Sequence, residues 1–216
     1  VCVLEKPIRL AELKAALAPF ATHAGIPESK EKKIVGIITG GINEAVDKLA
    51  IMSRSKWKMD VASFMEGMGS TLPYKNDLSE CYGAYADIPG AMFLLMFPKK
   101  GGSEVAKAFI FSHEAAVALL PDAEKKALAE VANIFIGKIA AEISDHCSIT
   151  QLIGVPTVTC APKAELILQA FGDYKPTGNI FSTHIRISSE KMATECHMLI
   201  FLDAPIVEQL LNEPQE

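Results

Sequence analysis

The sequence has no apolar run able to cross a bilayer: stretches such as Ala91 to Phe97 and Met198 to Leu202 fall far short of the roughly 20 residues a span needs. It has no excess of positive charge either. With 21 basic against 26 acidic residues and a net charge of −5, it lacks the concentrated basic face that nucleic-acid binding by counterion release requires. Cysteine is sparse and odd in number. Cys2, Cys81, Cys147, Cys160 and Cys196 include no C-x-x-C pair, which fits reduced, mostly buried thiols rather than a disulfide frame. The opening residues carry no basic n-region or small-residue cleavage site, so the chain reads as cytoplasmic. What it has in quantity is core: 50% of its 216 residues are hydrophobic and 22% are charged, which suits one compact globule with at most a short appendage.

Periodicity divides the chain into repeated units. Residues 1–24 read as strand, turn and helix, with Lys6-Pro7 ending the strand and Leu10, Leu13, Leu17 and Phe20 at helical spacing. A linker is expected near Thr22 to Glu28. From Lys30, Ile34, Ile37, Ile38, Ile42, Val46, Leu49 and Ile51 mark a long amphipathic helix whose Gly36, Gly40 and Gly41 permit close packing. Strands follow at Trp57 to Met65, Cys81 to Asp87 and Ala91 to Phe97, the last two joined at Pro89-Gly90, and then a short helix near Ser103 to Ala108. The second part repeats the order. After a helical stretch at His113 to Leu119 comes a long helix at Asp122 to Ser144, with Asp122 as N-cap, and strand-like Leu152 to Cys160. A helical turn at Ala164 to Ala170, strands at Asn179 to Ser188 and Thr194 to Leu202, and a helix at Ile206 to Leu211 complete it. The expectation is an α+β domain over 29–216, with halves at about 29–110 and 113–212. Its antiparallel sheet would carry long helices on one face, related by an internal pseudo-two-fold repeat.

The second long helix carries the most specific polar pattern. Glu130 and Asn133 are three apart and so share one helical face, while the apolar positions bury the opposite one. Ala129, Ala132 and Gly137 leave a smooth surface around them, and Pro156 follows Asn133 after 22 residues. The pattern E-x-x-N-x22-P resembles the CheC, CheX and FliY family of chemotaxis phosphatases over most of residues 29 to 212. The resemblance implies an enzyme that hydrolyses the aspartyl phosphate of a CheY-like receiver. Asn133 would orient the attacking water, Glu130 would pair with a lysine of the receiver's active site, and the partner would supply Mg²⁺, so this chain would bind no cofactor of its own. Where the family has Asp or Ser four residues before the Glu, this chain has Lys126.

The first half lacks the pair. Aligning Gly41 with Gly137 sets Ile34 and Ile37 where Glu130 and Asn133 stand, and the adjacent Asn43 and Glu44 do not recreate the geometry. Val1 to Leu13 resembles the last strand and helix of a response-regulator receiver, Lys6-Pro7 being its hallmark, without the phospho-accepting aspartate. No metal centre is expected from His146-Cys147 or Cys196-His197, which lack further ligands at helical spacing. Lys99-Lys100-Gly101-Gly102-Ser103 precedes a helix that could hold an anion, though without the order of a P-loop. Beside the phosphatase stand two other functions: a non-catalytic output or dimerisation module of a response regulator, and an adaptor for a deamidase-like or flagellar switch partner. A homodimer is compatible with each.

Overall fold

The computed structural model describes residues 28–68, 71, 74, 76–113, 122–150, 153–174, 176 and 178–212. The receiver-like segment with Lys6 and Pro7, the linker up to residue 27 and most of the helical stretch expected at 113–119 lie outside the described residues. The elements are α1 (Glu28–Ser53), β1 (Lys58–Glu66), β2 (Glu80–Ile88), β3 (Ala91–Pro98), α2 (Lys99–His113), α3 (Ala123–Cys147), β4 (Thr157–Pro162), α4 (Lys163–Asp173), β5 (Ile180–Ser189), β6 (Thr194–Asp203) and α5 (Ala204–Leu211). No helix among them is long and apolar enough to cross a membrane.

The six strands among the described residues form one antiparallel sheet in the order β1-β5-β6-β3-β2-β4. Exchanging the first three strands for the last three, in sequence, turns this order into its own reverse, so the sheet carries the expected pseudo-dyad. The axis passes between β3 and β6, whose residues pair from Ala91 with Leu202 to Met96 with His197. Each half also exchanges a strand: β1 pairs with β5 of the second half, and β4 pairs with β2 of the first. Pro89-Gly90 makes the tight turn between β2 and β3, Gly90 taking the left-handed φ of +79° that a side chain would resist.

β3 is apolar along its whole length and buried at every position but its last, so both faces of the sheet must be covered. On one face lie α1, α2, α3 and α5, packed on Phe93, Leu95, Phe97, Ile185 and Met198. The other carries α4, whose Leu166, Ile167 and Ala170 close over Met92, Leu94, Met96, Leu199 and Phe201. The long helices therefore share one face as expected, while α4 extends the helical turn expected at 164–170 into a full element on the opposite side. Two further boundaries differ. α2 begins directly after β3, so the Lys99-to-Ser103 segment is its first turn, and the strand expected from Leu152 begins only at Thr157.

α1 and α3 pack against each other at Gly41. A Cβ there would lie 2.9 Å from both the Ile139 Cα and the Lys138 carbonyl oxygen, backbone atoms that cannot swing aside. Gly36 and Gly40, expected to serve the same packing, instead face open space. Across the helix pair Lys138 reaches Glu44 at 2.5 Å, an exposed contact that lowers the Glu44 pKa through that hydrogen bond.

On the far face a polar group pins residue 74 to the sheet. Tyr74 Oη lies 2.6 Å from His184 Nε2 and 3.0 Å from His197 Nδ1. Lys163 joins Asp77 at 2.8 Å and stands over the Tyr74 ring, and Arg186 pairs with Asp60 nearby. Burial pushes both imidazoles down to about 4, helped by each other's charge at His184 and by Lys163 at His197.

Two measurements check this packing. Gly41→Ala is expected to lower stability by about 1–3 kcal/mol by forcing α1 and α3 apart, whereas Gly137→Ala, on open α3 surface, is expected to raise it by up to about 1 kcal/mol through helix propensity; urea unfolding of both variants reads the difference. Because His184 and His197 stay neutral in the fold but take up protons near pH 6.5 once unfolded, stability falls as pH drops from about 6.5 toward 4. The urea midpoint should drop between pH 7 and pH 5, and His184→Gln combined with His197→Gln should flatten that slope.

Candidate functional site

α3 is positioned by its core stripe and by an anchor at its first turn. Leu128, Val131, Ala132, Phe135, Ile136, Ile139 and Ile143 are buried along one side. In its first turn, Glu124 accepts hydrogen bonds from Tyr82 Oη at 2.9 Å and Ser103 Oγ at 3.1 Å, tying the helix start to β2 and α2. Asp122 occupies the N-cap position, but with φ of 60° its carboxylate makes no capping bond; it sits 3.9 Å from Lys125, and the Asp122 carbonyl accepts the Lys126 N–H. The side-chain cap expected of Asp122 is therefore absent: the residue takes the left-handed conformation in place of the extended one usual at an N-cap.

The side opposite the core presents Lys126, Glu130 and Asn133 to solvent, followed by the half-buried Gly137 and the exposed Ala141. One polar pair therefore stands on a face that becomes nearly flat one turn later. Neither Glu130 nor Asn133 has a hydrogen-bond or ion-pair partner among the described residues, and Lys126, a turn earlier, has no side-chain partner there either. A Cβ on Gly137 would meet nothing within 4 Å, so no contact inside the fold calls for glycine. Pro156 is buried where the chain enters β4 and adds no exposed surface, whereas Val155 beside it is 81% exposed. Nothing in the apolar spacing marked that valine.

The first half departs from its expected alignment. Ile34 is fully buried, so it cannot be the counterpart of the exposed Glu130. Matching buried stripes superposes Ile34, Ile38, Gly41, Ile42, Ala45 and Leu49 on Leu128, Ala132, Phe135, Ile136, Ile139 and Ile143. Gly41 then corresponds to Phe135 and not to Gly137, and Glu130 and Asn133 correspond to Gly36 and Thr39. Thr39 bonds its own helix, donating to the Val35 carbonyl at 2.6 Å. The α1 face accordingly offers no acidic–amide pair, and Asn43 and Glu44 are exposed as expected.

Away from α3, Tyr74, His184, His197 and Lys163 gather on the far face of the sheet, whereas the buried cysteines are not activated. Burial pushes the Cys81 and Cys196 thiols up to about 12 and Cys147 to about 11, away from the range of a nucleophile. Among the described residues no three of His, Cys, Asp or Glu are placed to hold a metal ion. Met68, Met92 and Met96 are core filler under α4 and Tyr74.

No protein-family model and no curated protein matches the chain. Solved structures do. The chain is similar to FliY of Thermotoga maritima with a TM-score of 0.60 and 15% identity, covering 86% of this chain and 95% of that one. It is similar to the FliM middle domain of H. pylori with a TM-score of 0.55 and 9% identity over 86% and 98% of the two chains. FliM of the same organism, in a structure of its complex with FliG, gives a TM-score of 0.56 and 10% identity over 86% and 99%. The chain has the CheC-like α+β fold that FliY and the FliM middle domain share.

Proposed function

We propose that the chain dephosphorylates a CheY-like receiver in chemotaxis or two-component signalling, with Glu130 and Asn133 on α3 as the residues that enter the partner's active site. The observation that carries this reading is the solvent-facing Glu130–Asn133 pair, with no hydrogen-bond or ion-pair partner among the described residues and three residues apart on a helix whose other side is locked in the core. Gly137 supports it. An exposed helix interior loses about 1 kcal/mol by holding glycine in place of alanine, and with no internal contact to serve, the smooth surface suits the close approach of another backbone.

The chemistry asks little of the protein. Hydrolysis of an aspartyl phosphate needs water in line with the phosphorus and charge stabilisation around the phosphoryl oxygens. The Asn133 amide oxygen accepts a hydrogen bond from that water and orients it, so water oxygen bonds to phosphorus as the carboxylate departs. Glu130 pairs with a lysine of the receiver and fixes the docked register. Mg²⁺ belongs to the partner, because the stripe offers one carboxylate and one amide where a magnesium site wants several oxygens. Lys126 places a positive charge beside an anionic partner site, an aid to encounter in place of the Asp or Ser of the resembled pattern.

A second reading is a non-catalytic docking module, which the likeness of fold to the FliM middle domain favours. The two part on Asn133. Asn133→Ala is expected to reduce acceleration of receiver dephosphorylation by about two orders of magnitude while leaving receiver affinity and melting temperature unchanged. No acceleration by the wild type, together with measurable binding, selects the docking module. Gly137→Leu should leave the fold intact and weaken binding at least tenfold, read by calorimetry with the phosphorylated or beryllofluoride-treated receiver; unchanged affinity would remove this face from the interface.

A further inference from the structure

Two imidazoles and a phenol converge on the face of the sheet opposite α3. The register of β5 against β6 pairs His184 with Leu199 and Arg186 with His197, so the two histidines are diagonal neighbours on one face. Local spacing around Cys196-His197 could not show this second imidazole, which comes from the adjacent strand. Tyr74, from the connection between β1 and β2, closes over both rings. Its Oη lies 2.6 Å from His184 Nε2 and 3.0 Å from His197 Nδ1, and the two nitrogens are 3.2 Å apart.

Hydrogen bonding leaves this triangle incomplete. The phenol has one proton, and each inward nitrogen is either a donor or an acceptor, so at most two of the three contacts carry a hydrogen. A cation at the centre would meet a lone pair from all three atoms. The spacing suits one: with metal–nitrogen bonds of about 2.0–2.1 Å, neighbouring donors of a tetrahedral site stand roughly 3.3 Å apart, and the triangle reaches that by opening less than about 1 Å. The surrounding charges agree. Lys163 is neutralised by Asp77 at 2.8 Å and Arg186 by Asp60, while Glu195 has no Lys or Arg partner among the described residues. Glu195 Oε1 instead lies 3.6 Å from His197 Nε2, the ring nitrogen on the outer side of the triangle. A carboxylate so placed behind a ligating imidazole holds the proton on the outer nitrogen and the lone pair on the inner one.

We propose that His184 Nε2, His197 Nδ1 and Tyr74 Oη bind a divalent transition-metal ion of the zinc or copper type, with Glu195 positioning His197. Two imidazoles and one oxygen suit such an ion, whereas magnesium and calcium take oxygen ligands throughout. On binding, the phenol releases its proton to solvent, any proton on an inward imidazole nitrogen moves to the outer one, and a water completes the coordination. The ion ties the β1–β2 connection to the sheet and is independent of the role given to Glu130 and Asn133.

The full chain, stripped of metal by a chelator and with Cys2 and Cys160 replaced by Ser so that their thiols do not compete, is titrated with Zn²⁺ by calorimetry and by ultraviolet difference spectroscopy. One ion per chain is expected, with the absorption of an ionised phenol growing in step with binding and the melting temperature rising. Tyr74→Phe should abolish that absorption and weaken binding by at least about tenfold, and His184→Gln or His197→Gln should weaken it further. Glu195→Gln should weaken binding by about tenfold with the phenolate signal retained, and His146→Gln, at an exposed position of α3, should change nothing. Absence of saturable binding, or binding that lacks the phenolate signal and is untouched by Tyr74→Phe, overturns the site. Wild-type affinity in Glu195→Gln overturns its positioning role.

Discussion

The architecture depends on the exchange of edge strands across the pseudo-dyad. Because, among the described residues, β1 is hydrogen-bonded to β5 and β4 to β2, each half leaves one of its strands to the other. Neither hairpin completes a sheet alone, and the buried β3–β6 seam joins them through side chains apolar on both faces. Loss of either half would expose unpaired backbone groups at three places in the sheet, which makes the domain a single cooperative unit. The helices inherit that rigidity. α1 and α3 meet at Gly41 with backbone nearly touching backbone, so the outward face of α3 is set by the sheet beneath it.

Much of this order was legible in the residues. β3 and the Met198–Leu202 stretch of β6 are continuous apolar runs, Pro89-Gly90 marks a turn, and the 3.6-residue stripes of α1 and α3 give both long helices and the face each buries. The solvent position of Glu130 and Asn133 followed from the same stripe. What failed did so for identifiable reasons. Lys99 to Ser103 resembles a loop because two glycines sit in it, yet Gly101 and Gly102 are buried helical positions where larger side chains would collide with Thr194 or Tyr82. α4 is short and covers the second face of the sheet, a layer that the repeat of long helix and hairpin does not announce. The alignment of the halves went wrong at Gly41 because identity was matched where burial should have been: one glycine lies in a helix crossing and the other on open surface.

That contrast between the two glycines separates fold from chemistry in this protein. Gly41, Phe135 and the strands of the seam are constrained by contacts, and changing them costs stability. Among the described residues Glu130 and Asn133 have no hydrogen-bond or ion-pair partner, and a side chain at Gly137 would meet nothing, so exchanging exposed polar residues there shifts stability by no more than about 0.5 kcal/mol. A helix face so free of internal duty can gain or lose an acidic–amide pair while the sheet, the pseudo-dyad and the crossing stay as they are, and the two halves of this chain illustrate it. Matched by their buried stripes, α1 carries Gly36 and Thr39 where α3 carries Glu130 and Asn133. The same scaffold thus holds one bare face and one bearing functional groups. Likeness of fold to FliY and to the FliM middle domain is therefore expected whatever chemistry each retains, and the functional reading rests on which side chains project from α3.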